Sequence, residues 1–349
     1  MQYAAYSGQE RLIQWYHTAL VEQQNIVLQA SSLKDPVQEF ALSVADGLAS
    51  TPRQLECRFL YDAEGSALYE QICAQPEYYP TRTEASILQQ WAPEISILTG
   101  PCTLIELGSG SSVKTGHLLS AYQNLYRHVC YTPIDISGNA LKHAGRAIIG
   151  QRPEVQVVGI HGTYSDSFPL IRFVSPALVI FLGSTIGNFT PAEERIFWSD
   201  VTANMQIGDY FLLGVDLIKD RALLEAAYND RAGVTARFTR NYFARMNREL
   251  DAAIDLDAVE HKAWYNPEKE QVEIYGQFHD DLEIYIQPLQ QAHGIARDES
   301  IRLEISRKFN LTGVQENLRG YGLQPVRTYT DPQGWFGLLL LEKNGTAYG

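Results

Sequence analysis

Short apolar runs alternate with helical stretches between residues 102 and 217, and this rhythm limits the fold more than any other feature of the chain. The apolar runs predict five strands, at residues 103–107, 131–134, 155–160, 177–182 and 210–215. The intervening stretches predict helices at 111–125, at 137–149 and from Pro191, since proline favours the first turn of a helix. Runs that are apolar throughout are typical of parallel strands covered on both faces. The sequence therefore predicts a doubly wound α/β unit.

The rest of the chain follows other patterns. Residues up to about 50 read as helical, because apolar residues recur at three-to-four spacing with almost no Gly or Pro. A further helix is expected from Thr83 and another within 220–250. The later segments predict antiparallel strands within 259–288, a strand at 301–306, a helix at 311–321, and strands near 325–330 and 335–342.

We expect two lobes, because 349 residues exceed the usual size of one domain. A Rossmann-like lobe would comprise residues 83–217 plus 309–349. A second lobe of mixed helices and strands, which would bind the substrate, would comprise residues 1–82 plus 218–308.

Charge and cysteine content narrow the class of function. The formal net charge of −13 repels phosphate backbones, so we expect no nucleic-acid partner. The four cysteines lack ligand spacing, which predicts free thiols in a reducing cytoplasm and no metal site. No apolar run approaches the ~20 residues that a bilayer requires, and the N-terminus does not resemble a signal peptide, so we expect a cytoplasmic protein without membrane association.

A glycine-containing turn follows the first predicted strand. Gly108, Ser109 and Gly110 stand where glycine lets the backbone approach a ligand and where the next helix offers free N–H groups. The third glycine of the dinucleotide fingerprint would fall at Val113, which disfavours a pyrophosphate ligand. Asp135, at the end of the second strand, can accept hydrogen bonds from both ribose hydroxyls of an adenosyl ligand. These features favour S-adenosylmethionine over NAD as the cofactor.

Two charged residues beside this turn admit two interpretations each. Glu106 either holds the amino-acid end of the cofactor or braces the turn. Lys114 either pairs with the cofactor carboxylate or lies on a solvated helix surface. The terminal antiparallel hairpin supports the methyltransferase version of the fold, because dinucleotide enzymes usually lack it.

Several motifs in one order resemble a known family, the histidine-specific Nα-methyltransferases that make hercynine in ergothioneine biosynthesis. The motifs are Phe59-Leu60-Tyr61-Asp62, Pro76-Glu77-Tyr78-Tyr79-Pro80-Thr81-Arg82-Thr83-Glu84, Glu106-Leu107-Gly108-Ser109-Gly110, Phe181-Leu182-Gly183-Ser184-Thr185-Ile186-Gly187-Asn188, Ala227-Tyr228-Asn229-Asp230, Gly233-Val234-Thr235, Asn247-Arg248-Glu249-Leu250 and Glu304-Ile305-Ser306. The resemblance runs from about Arg58 nearly to the C-terminus. It implies a class I Rossmann-like S-adenosylmethionine methyltransferase fold, with S-adenosylhomocysteine as the product of the cofactor.

The resemblance also implies roles for individual residues. It places Gly108, Lys114 and Asp135 at the cofactor. It makes Asn188 and Tyr228 the catalytic pair, with Asn188 on the substrate amine and Tyr228 on the substrate carboxylate. The residues expected to face the side chain of the substrate are Tyr78, Glu304 and Ser306.

The chemistry of these residue types is consistent with those roles. Methyl transfer to nitrogen needs a neutral amine held in line, and an Asn oxygen can orient it without adding a charge that would favour the ammonium form. Glu304 and Ser306 are two apart on a predicted strand and share one face, where they can bind both imidazole nitrogens.

The chain departs from the family pattern at two places. After the third strand the chain has Thr163-Tyr164, where family members commonly have an Asp-Phe pair that contacts adenine. The Thr hydroxyl is a weaker hydrogen-bond acceptor than a carboxylate. Asp166 is a possible substitute for the missing carboxylate. Ile274 stands where a Met would line the substrate pocket, which keeps apolar bulk but changes its shape.

The leading hypothesis is three successive methylations of histidine, a small-molecule substrate, with no obligatory protein partner. One alternative is N-methylation of another aromatic amino acid or derivative, although Glu304 and Ser306 favour imidazole over indole or phenyl. A second alternative is a catalytically silent adenosylmethionine sensor, which the presence of Asn188 and Tyr228 disfavours. An NAD oxidoreductase is disfavoured by Val113.

Overall fold

A nine-stranded sheet forms the centre of the computed structural model, which describes residues 1–5, 9–30 and 35–345, with the backbone alone at 2–5 and 9. The strands in chain order are β1 (Gln2–Ala5), β2 (Ile26–Gln29), β3 (Thr103–Leu107), β4 (Val129–Asp135), β5 (Val155–His161), β6 (Ala177–Phe181), β7 (Tyr210–Asp216), β8 (Val259–Asn266), β9 (Gln271–Phe278), β10 (Leu282–Ile286), β11 (Gln291–Ile295), β12 (Ser300–Arg307), β13 (Leu323–Thr330) and β14 (Phe336–Lys343). The order across the large sheet is β1-β2-β5-β4-β3-β6-β7-β14-β13. All pairings from β1 to β7 are parallel, and the terminal hairpin β13–β14 is antiparallel.

Helices cover the sheet on both faces. They are α1 (Gln9–Val21), α2 (Pro36–Ala49), α3 (Ala63–Cys73), α4 (Tyr79–Thr99), α5 (Gly116–Leu125), α6 (Gly138–Gln151), α7 (Tyr164–Ile171), α8 (Pro191–Asn204), α9 (Arg221–Ala227), α10 (Val234–Leu250) and α11 (Leu311–Arg319). Leu104 and Ile105, which are neighbours on β3, are buried in two different hydrophobic clusters, because alternate side chains of a strand point to opposite faces. The predicted α/β fold with a parallel central sheet is confirmed, and the five apolar runs are β3 to β7.

A third hydrophobic cluster lies outside the large sheet. It joins α2 and α3 with α10, the antiparallel sheet β12-β9-β8 and the pair β10–β11. Phe40, Phe59 and Tyr242 meet within it at ring-centroid distances of 4.8 and 5.8 Å. We propose that the elements packed around this cluster form the second, substrate-binding lobe.

The N-terminal stretch differs from its predicted structure. Residues up to 50 are not helical throughout: β1 and β2 extend the large sheet beside β5. Ile26, Val27 and Leu28 are buried there, and the Tyr16 hydroxyl of α1 lies 2.7 Å from Thr132 Oγ1 on β4. Strands β1 and β2 therefore extend the Rossmann-like sheet, although the sequence assigned them to the second lobe, because the open edge of β5 accepts a short apolar strand.

Two helix boundaries also differ. Helix α4 begins at Tyr79 and not at Thr83, with Pro80 in its first turn, where a missing N–H costs nothing. Helix α5 begins at Gly116 and not at 111, because the segment after the glycine turn forms further turns. Among the described residues, no helix has the length and apolar character that crossing a membrane requires.

Candidate active site

The candidate site lies at the carboxyl ends of parallel strands β3, β4, β6 and β7. Loops that follow such strands meet at one edge of the sheet, where open α/β folds bind their ligands. The glycine turn follows β3, Asp135 ends β4, a short 3-10 helix (Thr185–Asn188) follows β6, and Asp216 ends β7.

The glycine turn approaches its neighbours closely. Gly108 and Gly110 have φ values of 69° and 49°, and the N–H groups of Gly108 and Ser109 donate to Ile134 O at 2.8 and 3.1 Å. A Cβ at Gly108 would lie 2.7 Å from the Tyr164 hydroxyl oxygen. The Ser109 hydroxyl is buried without a hydrogen-bond partner. A buried hydroxyl beside open glycine backbone suits a polar ligand that supplies the missing partner.

Asp135 lies directly beside this turn. Its Oδ2 accepts from Gly110 N and its Oδ1 from Ser137 N, both at 2.8 Å. Burial raises the pKa of its carboxyl above the usual value, and the two backbone donors oppose that rise. A carboxylate held in place by backbone, with lone pairs to spare, fits the ribose hydroxyls of an adenosyl group.

Glu106 braces the turn. It is 4% exposed, and its two oxygens accept from Thr115 Oγ1 at 2.5 Å and from the Tyr131 hydroxyl. Burial raises the pKa of Glu106 to about 7, although both hydrogen bonds lower it. Of the two interpretations of Glu106, the contacts match the bracing one.

Lys114 forms an ion pair with Glu84 of α4, a residue that sequence reasoning did not single out. The buried Glu84 carboxylate also accepts from Gly183 N at 2.8 and 3.0 Å, just beyond β6. A Cβ at Gly214 would overlap with Glu84 Oε1. Glu84 thus fixes the position of Lys114 between two loops of the site. The only signal for it in the sequence is its place at the end of a quoted family motif.

Thr163 and Tyr164 have local roles in this structure. Thr163 caps α7: its hydroxyl donates to Asp166 Oδ2 at 2.8 Å and accepts from Asp166 N at 3.3 Å. The Tyr164 ring packs against Phe181 at 5.5 Å, and its hydroxyl faces Gly108. The expected adenine contact of these two residues stays a prediction.

A cavity joins four of the six residues expected to bind the substrate. Tyr78, Tyr228, Ile274 and Glu304 line it together. Its wall also contains aromatic residues that sequence reasoning missed, namely Tyr61, Tyr69 and Phe238.

Asn188 joins the cavity through Glu304. Asn188 Nδ2 donates to Glu304 Oε1 at 3.2 Å, across 116 positions of sequence. Because the amide donor faces Glu304, the amide oxygen is the acceptor that Asn188 offers to a substrate amine. Burial raises the pKa of Glu304 to about 7, while the charge of Lys308 and the Asn188 amide lower it.

Ser306, the sixth residue, lies behind Tyr228. The Tyr228 hydroxyl donates to Ser306 Oγ at 2.7 Å. Lys308 Nζ donates to both hydroxyl oxygens, at 2.9 and 2.8 Å, and lies 2.9 Å from Asp216 Oδ2. Lys219 approaches the other oxygen of Asp216. Sequence reasoning missed Lys308, and its position two residues after Ser306, just beyond the end of β12, is the signal that was available.

One cysteine also faces this site. Burial raises the pKa of the Cys57 thiol to about 12, with Glu304 adding to the rise and a hydrogen bond with Asn188 opposing it. At that pKa the group is a neutral thiol near neutral pH, which argues against a role as a nucleophile.

Comparisons with known proteins identify the family of this chain. Residues 40–343 match the family model of histidine-specific, S-adenosylmethionine-dependent methyltransferases. Over 297 residues the chain is 42% identical to histidine N-alpha-methyltransferase of Mycolicibacterium smegmatis, covering 85% of this chain and 92% of that protein. The corresponding protein of Mycobacterium tuberculosis is 38% identical over 86% of this chain and 94% of its own length. A 4-dimethylallyltryptophan N-methyltransferase of Claviceps purpurea is 30% identical over 62% of each chain. The chain therefore belongs to the family of histidine-specific methyltransferases that depend on S-adenosylmethionine.

Proposed function

We propose that this protein transfers methyl groups from S-adenosylmethionine to the α-amino group of L-histidine, up to the trimethylated betaine hercynine. One observation carries the proposal: Asn188 donates a hydrogen bond to Glu304, which lines a cavity together with Tyr228. An acceptor for a substrate amine beside an acceptor for an imidazole N–H supports histidine as the substrate.

The amine end depends on Asn188. S-adenosylmethionine supplies a methyl group on a positively charged sulfonium, and the nitrogen that receives it must be neutral. The amide oxygen of Asn188 accepts a hydrogen bond from the amine and directs its lone pair, without the negative charge that would retain the extra proton. The turn that carries Asn188 follows β6 at the ligand-binding edge of the sheet, as does the Gly183 N–H that fixes Glu84.

The carboxylate end depends on Tyr228. Its hydroxyl lies 2.9 Å from the buried ammonium group of Lys308. A positive charge directly behind the hydroxyl favours an anionic group of the substrate there.

The imidazole end depends on Glu304. Above a pH of about 7 the carboxylate is ionised and accepts an N–H from the ring. Ile274 pairs with Glu304 across strands β9 and β12 and supplies an apolar wall for the flat ring. A phenyl ring would offer no donor to this buried carboxylate, which would keep only the Asn188 amide as a partner, and the missing hydrogen bond costs about 1–3 kcal/mol.

Mass spectrometry tests the proposal directly. Purified protein is incubated with S-adenosylmethionine and each of the twenty amino acids in turn. We expect mass gains of one to three methyl groups on histidine alone. Gains on another amino acid, or on none, would overturn the proposed substrate.

Glu304→Ala tests the role of the carboxylate. We expect histidine affinity to fall by about tenfold or more, because a charge-assisted hydrogen bond of ~1.5–3 kcal/mol is lost, while cofactor affinity stays the same. Glu273→Ala is the matched control, since Glu273 is a buried carboxylate of the same small sheet that bonds to Gln271 and Tyr275. Equal loss of histidine and cofactor affinity in Glu304→Ala would contradict the assigned role.

We also propose that the enzyme works in the cytosol without a protein partner. The net charge of −13 and the four free thiols support this. Activity of the purified protein alone, and fractionation of cells that express it, are the measurements.

A further inference from the structure

The side chain of Lys308 is buried beneath the substrate cavity with all of its donors in use. It is 0% exposed and lies within 2.9 Å of Asp216 Oδ2, Tyr228 Oη and Ser306 Oγ. An ammonium group has three N–H donors, and three acceptors surround it here. Burial alone would lower its pKa, yet the Asp216 carboxylate and the Tyr228 hydroxyl hold that pKa above the usual value. Lys308 is therefore a permanent donor.

The Lys308 ammonium group determines which hydrogen bonds the Tyr228 and Ser306 hydroxyls can still form. Each hydroxyl has one proton to donate and two lone pairs that accept. Lys308 occupies a lone pair of both Tyr228 and Ser306, and the Ser306 oxygen also accepts from Tyr228. With both of its lone pairs used, Ser306 has only its proton left for a ligand. In this arrangement Glu304 lines the cavity as an acceptor, and Ser306, which lies behind Tyr228, has only its proton to offer.

We propose that Lys308 is a positioning residue that makes Tyr228 and Ser306 proton donors towards the substrate, and so selects a neutral imidazole with its N–H towards Glu304. The inference rests on the proposed function, since it concerns how histidine is held. When the Tyr228 hydroxyl turns to donate a hydrogen bond to the substrate carboxylate, one lone pair of Ser306 is freed. Lys308 still donates to both oxygens, and the Ser306 proton stays available to the unprotonated ring nitrogen. No covalent bond changes in this step.

Lys308→Met tests the inference, because Met keeps the length of the side chain and removes the charge and the donors. Without Lys308 the two hydroxyls satisfy each other, and one of them presents a lone pair to the substrate. We expect KM for histidine to rise by about ten- to a hundredfold, which corresponds to one or two charge-assisted hydrogen bonds. The expected change in kcat and in the Kd for S-adenosylmethionine is less than about threefold.

Lys219→Met is the matched control. Lys219 shares Asp216 with Lys308. It also donates to the Tyr79 hydroxyl at 2.7 Å and to Leu217 O at 2.6 Å. None of its hydrogen bonds goes to Tyr228 or Ser306. Lys219→Met removes one charge beside Asp216 and no hydrogen bond to Tyr228 or Ser306. It should therefore leave KM for histidine within about threefold of that of the original enzyme. If both variants raised KM equally, Lys308 would have a structural role alone.

A double-mutant cycle separates the two possibilities further. In a Ser306→Ala background, Lys308→Met should raise KM for histidine clearly less than it does in the original enzyme, because one of its two targets is gone. Purely additive effects would overturn the inference. If the original enzyme methylates histidine and Lys308→Met leaves KM unchanged, the inference on Lys308 is wrong and the proposed function stands. If no amino acid gains mass with the original enzyme, the proposed function itself is wrong.

Discussion

At the scale of single residues, the site depends on carboxylates that the fold withdraws from water. Glu304 is the clearest case, since burial raises its pKa to about 7, and the charge of Lys308 and the Asn188 amide only partly offset that rise. The group is thus poised between its two protonation states near neutral pH. Only the ionised form accepts an N–H with both oxygens, so the state of this one proton sets how well an imidazole binds.

Histidine binding should accordingly weaken as the pH falls. A pKa of about 7 is raised above the usual carboxyl value, so the ionised form is fully present well above pH 7 and is lost as the pH falls through it. Between pH 8 and pH 6 the ionised fraction drops by roughly tenfold, and we expect histidine affinity to fall by a similar factor beyond the change due to the ligand's own ring. Calorimetric titration of the original protein and of Glu304→Gln across this range measures the effect.

The Gln variant supplies the reference, because its side chain does not titrate and retains an acceptor oxygen. Its pH profile lacks the titration of Glu304 and keeps that of free histidine and of the other protein groups, Glu106 among them. Parallel profiles for the two proteins would mean that Glu304 does not change its charge in this range.

At the scale of secondary-structure elements, the ends of helices and strands carry the site. Thr163 illustrates this, because its hydroxyl completes a reciprocal pair with Asp166 that caps α7. The same helix begins with Tyr164, whose hydroxyl faces Gly108 of the glycine turn. Loss of the cap would therefore act first on the stability of the helix and only then on the cofactor turn.

Thr163→Ala should lower the free energy of unfolding by about 1 kcal/mol, the usual value for loss of an N-cap hydroxyl. If capping is its main role, the Kd for S-adenosylmethionine should change by less than about threefold. Urea denaturation and cofactor titration measure the two quantities. A large rise in Kd with little loss of stability would instead support a direct adenine contact of Thr163.

At the scale of the whole molecule, β1, β2 and α1 complete the sheet that holds the cofactor turn and cover its face. Strand β2 pairs in parallel with β5, and Leu12 and Tyr16 of α1 are buried against the same face. Without them β5 becomes an exposed edge beside uncovered apolar surface, which is a liability for aggregation.

A variant that starts after residue 30 tests this role. We expect it to aggregate or to unfold at a temperature lower by about 10 °C or more, since several side chains worth about 1.5–3 kcal/mol each lose their burial. Thermal unfolding and gel filtration are the measurements. Tyr16→Phe, which removes only the 2.7 Å hydrogen bond to Thr132, should cost no more than about 1.5 kcal/mol. An unchanged unfolding temperature in the truncated protein would show that the segment is not needed for stability.

The sequence by itself determined the features that depend on local pattern. Runs such as Ala177–Phe181 are apolar at every position, which is typical of a parallel strand covered on both faces, so strands β3 to β7 followed from the sequence pattern. Helix α7 and strand β11 were not predicted. The glycine turn and Asp135 followed from backbone requirements within a few residues. The motifs with Asn188, Tyr228 and Glu304 pointed to the cavity because they came in the order of a known family.

Only the tertiary structure decided which distant side chains meet. Glu84 pairs with Lys114 across 30 positions, and Lys308 reaches Tyr228 across 80. Neither pair has a signature in local spacing, because a buried charge finds its partner through the packing of elements that are remote in sequence. The place of β2 was decided in the same way: a four-residue run is too short to reveal its periodicity, and the open edge of β5 supplied the partner that made it a strand.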